Sequence, residues 1–585
     1  INPLLHARFA HEDAVVKLAL SDDGKWLASS GDDRAIKLWS LPDLVQVKAW
    51  EDQPDVAAAL VFAGGNRIRA GRMDGSIEEG LVFDPTLLVG STVDSPESGK
   101  VSPANGDTMT TELAKLTEIP GTAVLPVTAP AEVSGKIEAP GDTDDFRFSA
   151  KAGQNWILEV NASRMKSPLD SKIEVLTVDG EPVEQTKLQA VRDSWFEFRG
   201  KNSTQVNDFR VFNWREMELN EYLYCNGEVV KLWLYPRGPD SGFTVYPGEG
   251  NRHTYFNTSG LSHALGEPCY VVREVPRFFF NDTASSEIYT IYYENDDDPQ
   301  RRFGSDSVLT FTAPADGEYL ARVSDVRGFG GESFDYRMTI RPPKPDFQVR
   351  HSIDAKKGLV VAPGTGKEIV VTAERLDGYG GEITVDVTGL PKGFSVGGPI
   401  VIEAGQHQAM GAIYAAADAP EPDAEAMKSV KLVAHATIGD GEIVHELASL
   451  GPLKLDAKPP KLFVEILPDG DSGHPKEGKS KPLELTIHPG ETITALVKAD
   501  RVDFKDRIEF GKEDSGRNLA HGLIIDNIGL NGLMIPEQAV EQKFFITAAD
   551  WVPDSTRTFH LRTGADGGRV SQSIILHVKN REPSS

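Results

Sequence analysis

Apolar residues recur at every second position in short runs, and each run is closed by a turn within a few residues. Phe146 and Phe148 precede the turn Ala152-Gly153-Gln154, and Trp156, Leu158 and Val160 follow it. Such alternation sends one set of side chains to a core face and the other to solvent, as half-buried strands require. Ile383-Thr384-Val385-Asp386-Val387, Leu483-Glu484-Leu485-Thr486-Ile487 and Ser573-Ile574-Ile575-Leu576-His577-Val578 repeat the pattern. With 55 Gly and 37 Pro among 585 residues, turns are frequent enough to separate many short strands. The reading is all-β, and at about 100–200 residues per domain the length implies roughly three to five domains. No run approaches the roughly 18 apolar residues of a membrane-spanning helix. The 61 Lys+Arg against 88 Asp+Glu leave a net charge of −27. An acidic surface repels phosphate backbones, so no nucleic-acid partner is expected.

The first eighty residues carry a repeat. Gly24, Leu27, Asp33 and Ile36 are matched 41 residues later by Gly65, Ile68, Asp74 and Ile77, a period within the range of four-stranded propeller blades. The segment Gly24-Lys25-Trp26-Leu27 through Ile36-Lys37-Leu38-Trp39 resembles a WD40 blade. That resemblance implies a structural hydrogen-bonded set of His11, Ser29, Asp33 and Trp39, not a catalytic triad. Gly80 stands where the second copy needs its Trp, so that blade is degenerate. Two blades cannot close a ring. The sequence starts at Ile1, with no Met and no signal-type apolar stretch, and the expectation is a fragment, or a processed product, of a longer parent whose other blades lie upstream.

From Asp84 to about Gly121, Ser, Thr, Pro and Gly recur without period, which reads as a flexible linker. The run Pro140-Gly141-Asp142-Thr143-Asp144-Asp145-Phe146-Arg147-Phe148, with the strand at Trp156–Val160, resembles the bacterial pre-peptidase C-terminal (PPC) domain. That family has a small, jelly-roll-like β-sandwich. Its later hairpin matches Asp306 to Tyr319, so the sandwich over 122–342 is split by an insertion at about 186–300. The insertion is aromatic-rich, with a short helix expected over Arg215–Leu223. Trp214, Trp233, Tyr235, Arg237, Arg252 and His253 are a candidate ligand surface, because rings stack on sugars and guanidinium groups hold carboxylates. Both cysteines, Cys225 and Cys269, lie in the insertion. They are a candidate disulfide in an oxidising compartment, although separation in sequence leaves the pairing open. Phe278 to Thr290 resembles a peptide produced when sequencing-adapter DNA is translated by mistake.

Pro342-Pro343-Lys344-Pro345 and Lys458-Pro459-Pro460-Lys461 mark two further boundaries. Strand runs over 346–457 and 461–585, and the turn Gly389-Leu390-Pro391-Lys392-Gly393, resemble bacterial Ig-like sandwiches. The overall expectation is partial WD40 blades over 1–83, a linker over 84–121, the split sandwich, and two Ig-like modules.

Chemistry is sparse. H-E-x-x-H, G-x-S-x-G, P-loop and C-x-x-C motifs are all missing. Pro363-Gly364-Thr365-Gly366-Lys367 precedes a strand and reads as a turn. Glu294, Asp296, Asp297 and Asp298, together with Asp142, Asp144 and Asp145, are a candidate Ca²⁺ set, since hard oxygen ligands at such density suit that ion. The modules taken together imply a non-catalytic protein in the periplasm, on the cell surface or secreted, with protein or glycan partners. The alternatives are an accessory region of a secreted enzyme catalysing elsewhere, and a carbohydrate-binding insertion.

Overall fold

The structure is a computed structural model. It describes residues 15–21, 24–41, 45–50, 53–63, 67–82, 113–118, 124–197, 208–236, 241–248, 250–276, 287–470, 482–511, 516–526 and 532–581. The chain is all-β and divides into two compact units, Ile1–Glu97 and Ser98–Ser585.

In the first unit, Val15–Leu20, Trp26–Gly31, Ile36–Ser40 and Val45–Trp50 form an antiparallel sheet in chain order. Ala57–Phe62, Arg67–Arg72 and Ile77–Val82 form a second. The repeat seen in sequence is a repeat of turns. Asp33 Oδ1 accepts the Ala35 N–H at 3.1 Å, and Asp74 Oδ1 accepts the Ser76 N–H at 2.8 Å. The residue after each aspartate is left-handed, Arg34 at φ 57° and Gly75 at φ 85°, a geometry that the aspartate side-chain bond supports. Trp26, Ile36 and Leu38 share one core with Leu60, Ile68 and Ala70. The Ser30 hydroxyl links the two sheets by donating to the Ala57 carbonyl at 2.6 Å.

Two five-stranded sheets open the second unit. One is ordered Val308–Thr312, Asn155–Asn161, Asp335–Arg341, Ala131–Lys136, Ala114–Thr117. The other is ordered Glu294–Asn295, Ser171–Thr177, Gly317–Asp325, Thr143–Ala150, Leu125–Pro126. Each sheet therefore mixes strands from before and after the insertion. The alternating residues meet between the sheets, where Phe148 lies edge-on to Trp156 and Phe311 at 6.1 and 5.9 Å. Such pairs add about 0.5–1.5 kcal/mol each beyond burial. Ala114–Thr117 pairs in parallel with Ala131–Lys136, so this sheet begins inside the stretch read as a linker. Four residues are too few to show a period, and only Leu116 of them packs on the core. Residues 83–112 lie outside the described residues.

The insertion folds as a seven-stranded sheet made of Glu184–Trp195, Asp208–Phe209, Tyr222–Cys225, Glu228–Leu234, Phe243–Val245, Pro268–Val275 and Ile288–Tyr292. The helix expected over Arg215–Leu223 is instead one 3-10 turn, Trp214–Glu216, followed by the strand Tyr222–Cys225. Asn220, left-handed at φ 72°, is incompatible with a continuing helix. The strand then buries Leu223 and Cys225 on one face. Of the adapter-like segment, Ile288 to Thr290 belongs to the edge strand Ile288–Tyr292, and residues 277–286 lie outside the described residues.

Two further sandwiches follow. The first packs Asp346–His351, Gly366–Leu376, Gln408–Ala415 and Phe394–Gly397 against Ile400–Ile402, Ile383–Thr388, Lys431–Ile438 and Gly441–Glu446. The second packs Leu462–Pro468, Thr492–Arg501, Glu541–Ala548 and Leu523–Asp526 against Glu484–Ile487, Ile574–Val578, Ser555–Leu561 and Gly516–Arg517. The glycine-rich stretch at Pro363–Lys367 is the turn into Gly366–Leu376, closed by the Thr365 hydroxyl donating to the Ala362 carbonyl at 2.7 Å.

Candidate binding surfaces

The residues picked out in the repeat support its fold. Trp39 Nε1–H donates to Ser29 Oγ at 2.8 Å in the interior of the first sheet, and Asp33 holds the turn. His11 lies outside the described residues.

The seven carboxylates of the candidate Ca²⁺ set form no metal-holding group, and most of them are engaged elsewhere. Asp142 accepts the Glu138 and Thr143 N–H groups at 2.8 and 3.0 Å. Asp145 makes a two-pronged pair with Arg322 at 2.8 and 2.9 Å. Glu294 pairs with Lys172 at 2.9 Å, Asp297 with Arg301, and Asp298 with Arg302 at 2.8 Å. Asp296 keeps one buried carboxylate oxygen without a partner. Among the described residues no group of three or more His, Cys, Asp or Glu is placed to hold a metal ion. The acidic density that suggested Ca²⁺ is matched by basic groups, Arg301 and Arg302 four residues on in the chain and Lys172 and Arg322 on neighbouring strands.

Asp144 has a different role. It is buried, and the Tyr336 hydroxyl donates to its Oδ2 at 2.5 Å. Burial, with Glu118 hydrogen-bonded beside it, pushes its carboxyl up to about 8, the tyrosine bond opposing. Gly135 makes this approach feasible, because a Cβ there would lie 2.5 Å from the Tyr336 oxygen.

The proposed ligand surface of the insertion turns inward. Arg252 is fully buried and grips Glu228 with Nε at 2.5 Å and Nη2 at 2.9 Å. Glu228 also accepts the Leu261 N–H at 3.0 Å and meets His263 Nε2 at 2.6 Å. Burial pushes the Glu228 carboxyl up, but His263, Arg252 and the Leu261 N–H outweigh it and hold its pKa below the usual range. His253 is drawn down to about 4, chiefly by burial and then by the charge of His407. Trp214 and Tyr235 are half-buried against the core, with Arg215 lying over Trp214 at 4.9 Å and the Tyr235 hydroxyl donating to Glu218 at 2.8 Å. Trp233 lies parallel to His521 of the last sandwich, centroids 6.2 Å apart. Arg237 lies outside the described residues. The aromatic density was legible in the sequence; that its charged companions serve the core was not.

Cys225 and Cys269 are both reduced and fully buried. Their strands pair antiparallel with Tyr224 opposite Tyr270, which sets the two thiols opposite each other one position on. Burial, with Cys269 as hydrogen-bond partner, raises the Cys225 thiol well above its usual value.

Sequence reading missed the groups that join the modules of the second unit. Arg341 pairs with Asp377 at 2.8 Å through Nη2. Arg557 reaches Glu403 at 2.9 Å across 154 residues. Glu368 gathers Arg517, Arg562 and His560 at 3.3–3.4 Å. Asn518 accepts the Val401 N–H at 3.1 Å and donates to Pro399 and Thr558 carbonyls at 3.1 and 2.7 Å. No local pattern announces such pairs, since their members lie on different modules. Between the two Ig-like sandwiches they leave a cleft of about 1020 Å³. Residues 393–398 and Tyr414 line one wall, and Leu462, Phe463, Val464 and Glu465 line the other.

A family model described as the WD domain, G-beta repeat, matches residues 3–40. A search of curated proteins finds no significant match. Among solved structures, a chimeric titin Z1Z2-Z1Z2 tandem is covered over its full length by 41 % of this chain at 12 % identity, with TM-score 0.13. Domains 4–9 of the surface-layer protein SbsC align with 62 % of this chain and 48 % of theirs, at 14 % identity and TM-score 0.16. SGBP-B of the Bacteroides ovatus mixed-linkage glucan utilization locus, solved with a mixed-linkage heptasaccharide, aligns with 47 % of this chain and 56 % of its own, at 12 % identity and TM-score 0.10. Likenesses at this level carry no inference about function or arrangement.

Proposed function

We propose that the chain is a non-catalytic binding or scaffold protein acting outside the cytoplasm, its second unit serving as a stiff presenter of surfaces at the cell envelope. The supporting observation is the set of ion pairs between modules, Arg341–Asp377, Arg557–Glu403 and the Glu368 cluster. Modules tied side to side in this way keep fixed orientations, which suits a spacer better than a freely jointed tether. The resemblance of the split sandwich to the PPC domain adds the exported bacterial setting. The same resemblance favours the second reading, an accessory region of a secreted peptidase. No helix among the described residues is long and apolar enough to cross a membrane.

Two measurements test this. Surface biotinylation of intact producing cells should label the chain before lysis. The purified chain should turn over neither casein nor cell-wall glycan. Labelling only after lysis, or turnover that copurifies with the chain, would overturn the proposal.

A further inference from the structure

The cleft between the Ig-like modules is bordered by main chain, and the direction of that main chain can be derived. In the pairing of Leu462–Pro468 with Thr492–Arg501, Val464 stands opposite Ala499 and Ile466 opposite Val497. The Ala499 N–H donates to the Val540 carbonyl at 2.7 Å, on the far side of its strand. In an antiparallel ladder, a residue whose groups point to the far neighbour forms a non-bonded pair with the near one. Val464 and, two residues on, Ile466 must therefore point their N–H and C=O groups outward, at the open edge of the sheet. Their side chains are buried in the core of the last module, so the edge is held rigidly. The Leu462 N–H is taken by Asp566. No described residue hydrogen-bonds the N–H or C=O of Val464 or Ile466.

The opposite wall repeats the arrangement. Ala415 exchanges bonds with Thr365 and Gly364 at 3.0 and 2.9 Å, so its partner Phe394, and Val396 after it, face away from Gln408–Ala415. The Phe394 N–H closes on the Pro391 carbonyl at 3.0 Å, and the groups of Val396 have no described partner. Exposed edges are sites that proteins ordinarily blunt with charge or cover. Here two of them border one cavity of about 1020 Å³, large for a ligand site. The charged groups in its wall balance in number, Glu465 and Asp500 against Lys498 and Arg569.

We infer that this cleft binds an extended segment of a partner polypeptide, which adds as a strand to the free edge of Leu462–Pro468. The inference names a partner class for the binding role proposed above and rests on that reading. The occupant follows from the donors and acceptors. Outward groups at every second residue are met in register only by another extended main chain, and balanced charges select a segment without strong net charge.

Proline isolates the interaction. At Val464 and Ile466 the N–H faces out, where an edge strand tolerates proline. Val464→Pro and Ile466→Pro should therefore keep the fold, with melting temperatures near wild type, whereas Glu465→Pro breaks a ladder bond and should unfold the module. A phage library of random nine-residue peptides is panned on the immobilised full chain. Enriched peptides should bind wild type and lose at least about tenfold in affinity on Val464→Pro. Amide exchange supplies a readout that needs no variant. Val464 and Ile466 should exchange fast in the free chain and slow when peptide binds, while Phe463 and Glu465 are slow throughout. The inference falls if no peptide is enriched, if the enriched peptides bind both proline variants equally, or if light scattering shows the edge closed by a second copy of the chain. None of these failures touches the surface-labelling and turnover results above.

Discussion

Replacing Glu228 tests how the insertion is held together. Its side chain is fully buried, as is that of Arg252, and it accepts from Arg252 twice, from the Leu261 N–H and from His263. Summed singly at about 1.5–3 kcal/mol per charged hydrogen bond, four bonds would far exceed what one site delivers, because they share one desolvation cost. The better guide is the cost of stranding a buried charge, about 3–5 kcal/mol. Glu228→Gln keeps the shape and removes the charge facing Arg252, so the insertion should lose stability in that range. Hydrogen exchange of Glu228–Leu234 and Pro268–Val275 measures the loss locally, which suits a chain whose units need not unfold together. The double variant Glu228→Leu with Arg252→Met should lose less than Glu228→Leu alone, since no charge is left unpaired. The sign with pH follows from the lowered carboxyl pKa. The contribution is present above the unfolded value and is lost as pH falls through the folded one. A fall of less than about 1 kcal/mol in both Glu228→Gln and Glu228→Leu would refute the reasoning and mark the cluster as energetically idle.

Three further outcomes are expected. Ser29→Ala leaves the buried Trp39 Nε1–H without its acceptor and should cost the first unit about 1–3 kcal/mol, read by amide exchange over Trp26–Gly31; an unchanged rate there contradicts the structural role of the pair. Asp144, raised from 3.8 to about 8, keeps in the folded state a proton that the unfolded chain releases. Its contribution is therefore full below about 4 and lost as pH rises through about 8; thermal melts of Asp144→Asn should show a flatter decline over that window, and a slope equal to wild type refutes the assignment. Folding in a glutathione-disulfide buffer should yield a Cys225–Cys269 link by thiol–disulfide exchange, found by non-reducing peptide mapping; two freely alkylated thiols after unfolding would contradict it.

The alternation at Phe146/Phe148 and Trp156/Leu158/Val160 was sufficient to place strands, because period 2 is a property of one strand and one face. The blade repeat was equally readable, since Asp33 and Asp74 each build a turn within three residues. The short strand Ala114–Thr117 and the turn at Trp214–Glu216 were misread, because four residues carry no period and helix propensity gave way to a left-handed Asn220. The candidate sites fared worse for a related reason. Acidic clusters and aromatic-basic mixtures are compositions, and whether Asp298 meets Ca²⁺ or Arg302, or whether Arg252 meets a ligand or Glu228, depends on what the fold places opposite.

By itself, then, the sequence determined an all-β chain of turn-punctuated strands, with WD40-like blades at the start and sandwiches after. Only the tertiary structure decided that most of the candidate acids are neutralised, that the two cysteines face each other, and that two sheet edges border one cleft. The physical reason is range. Alternation and turn chemistry act over a few residues, whereas ion pairing, burial and the direction of an edge strand's main chain are set by partners that can lie 192 residues away.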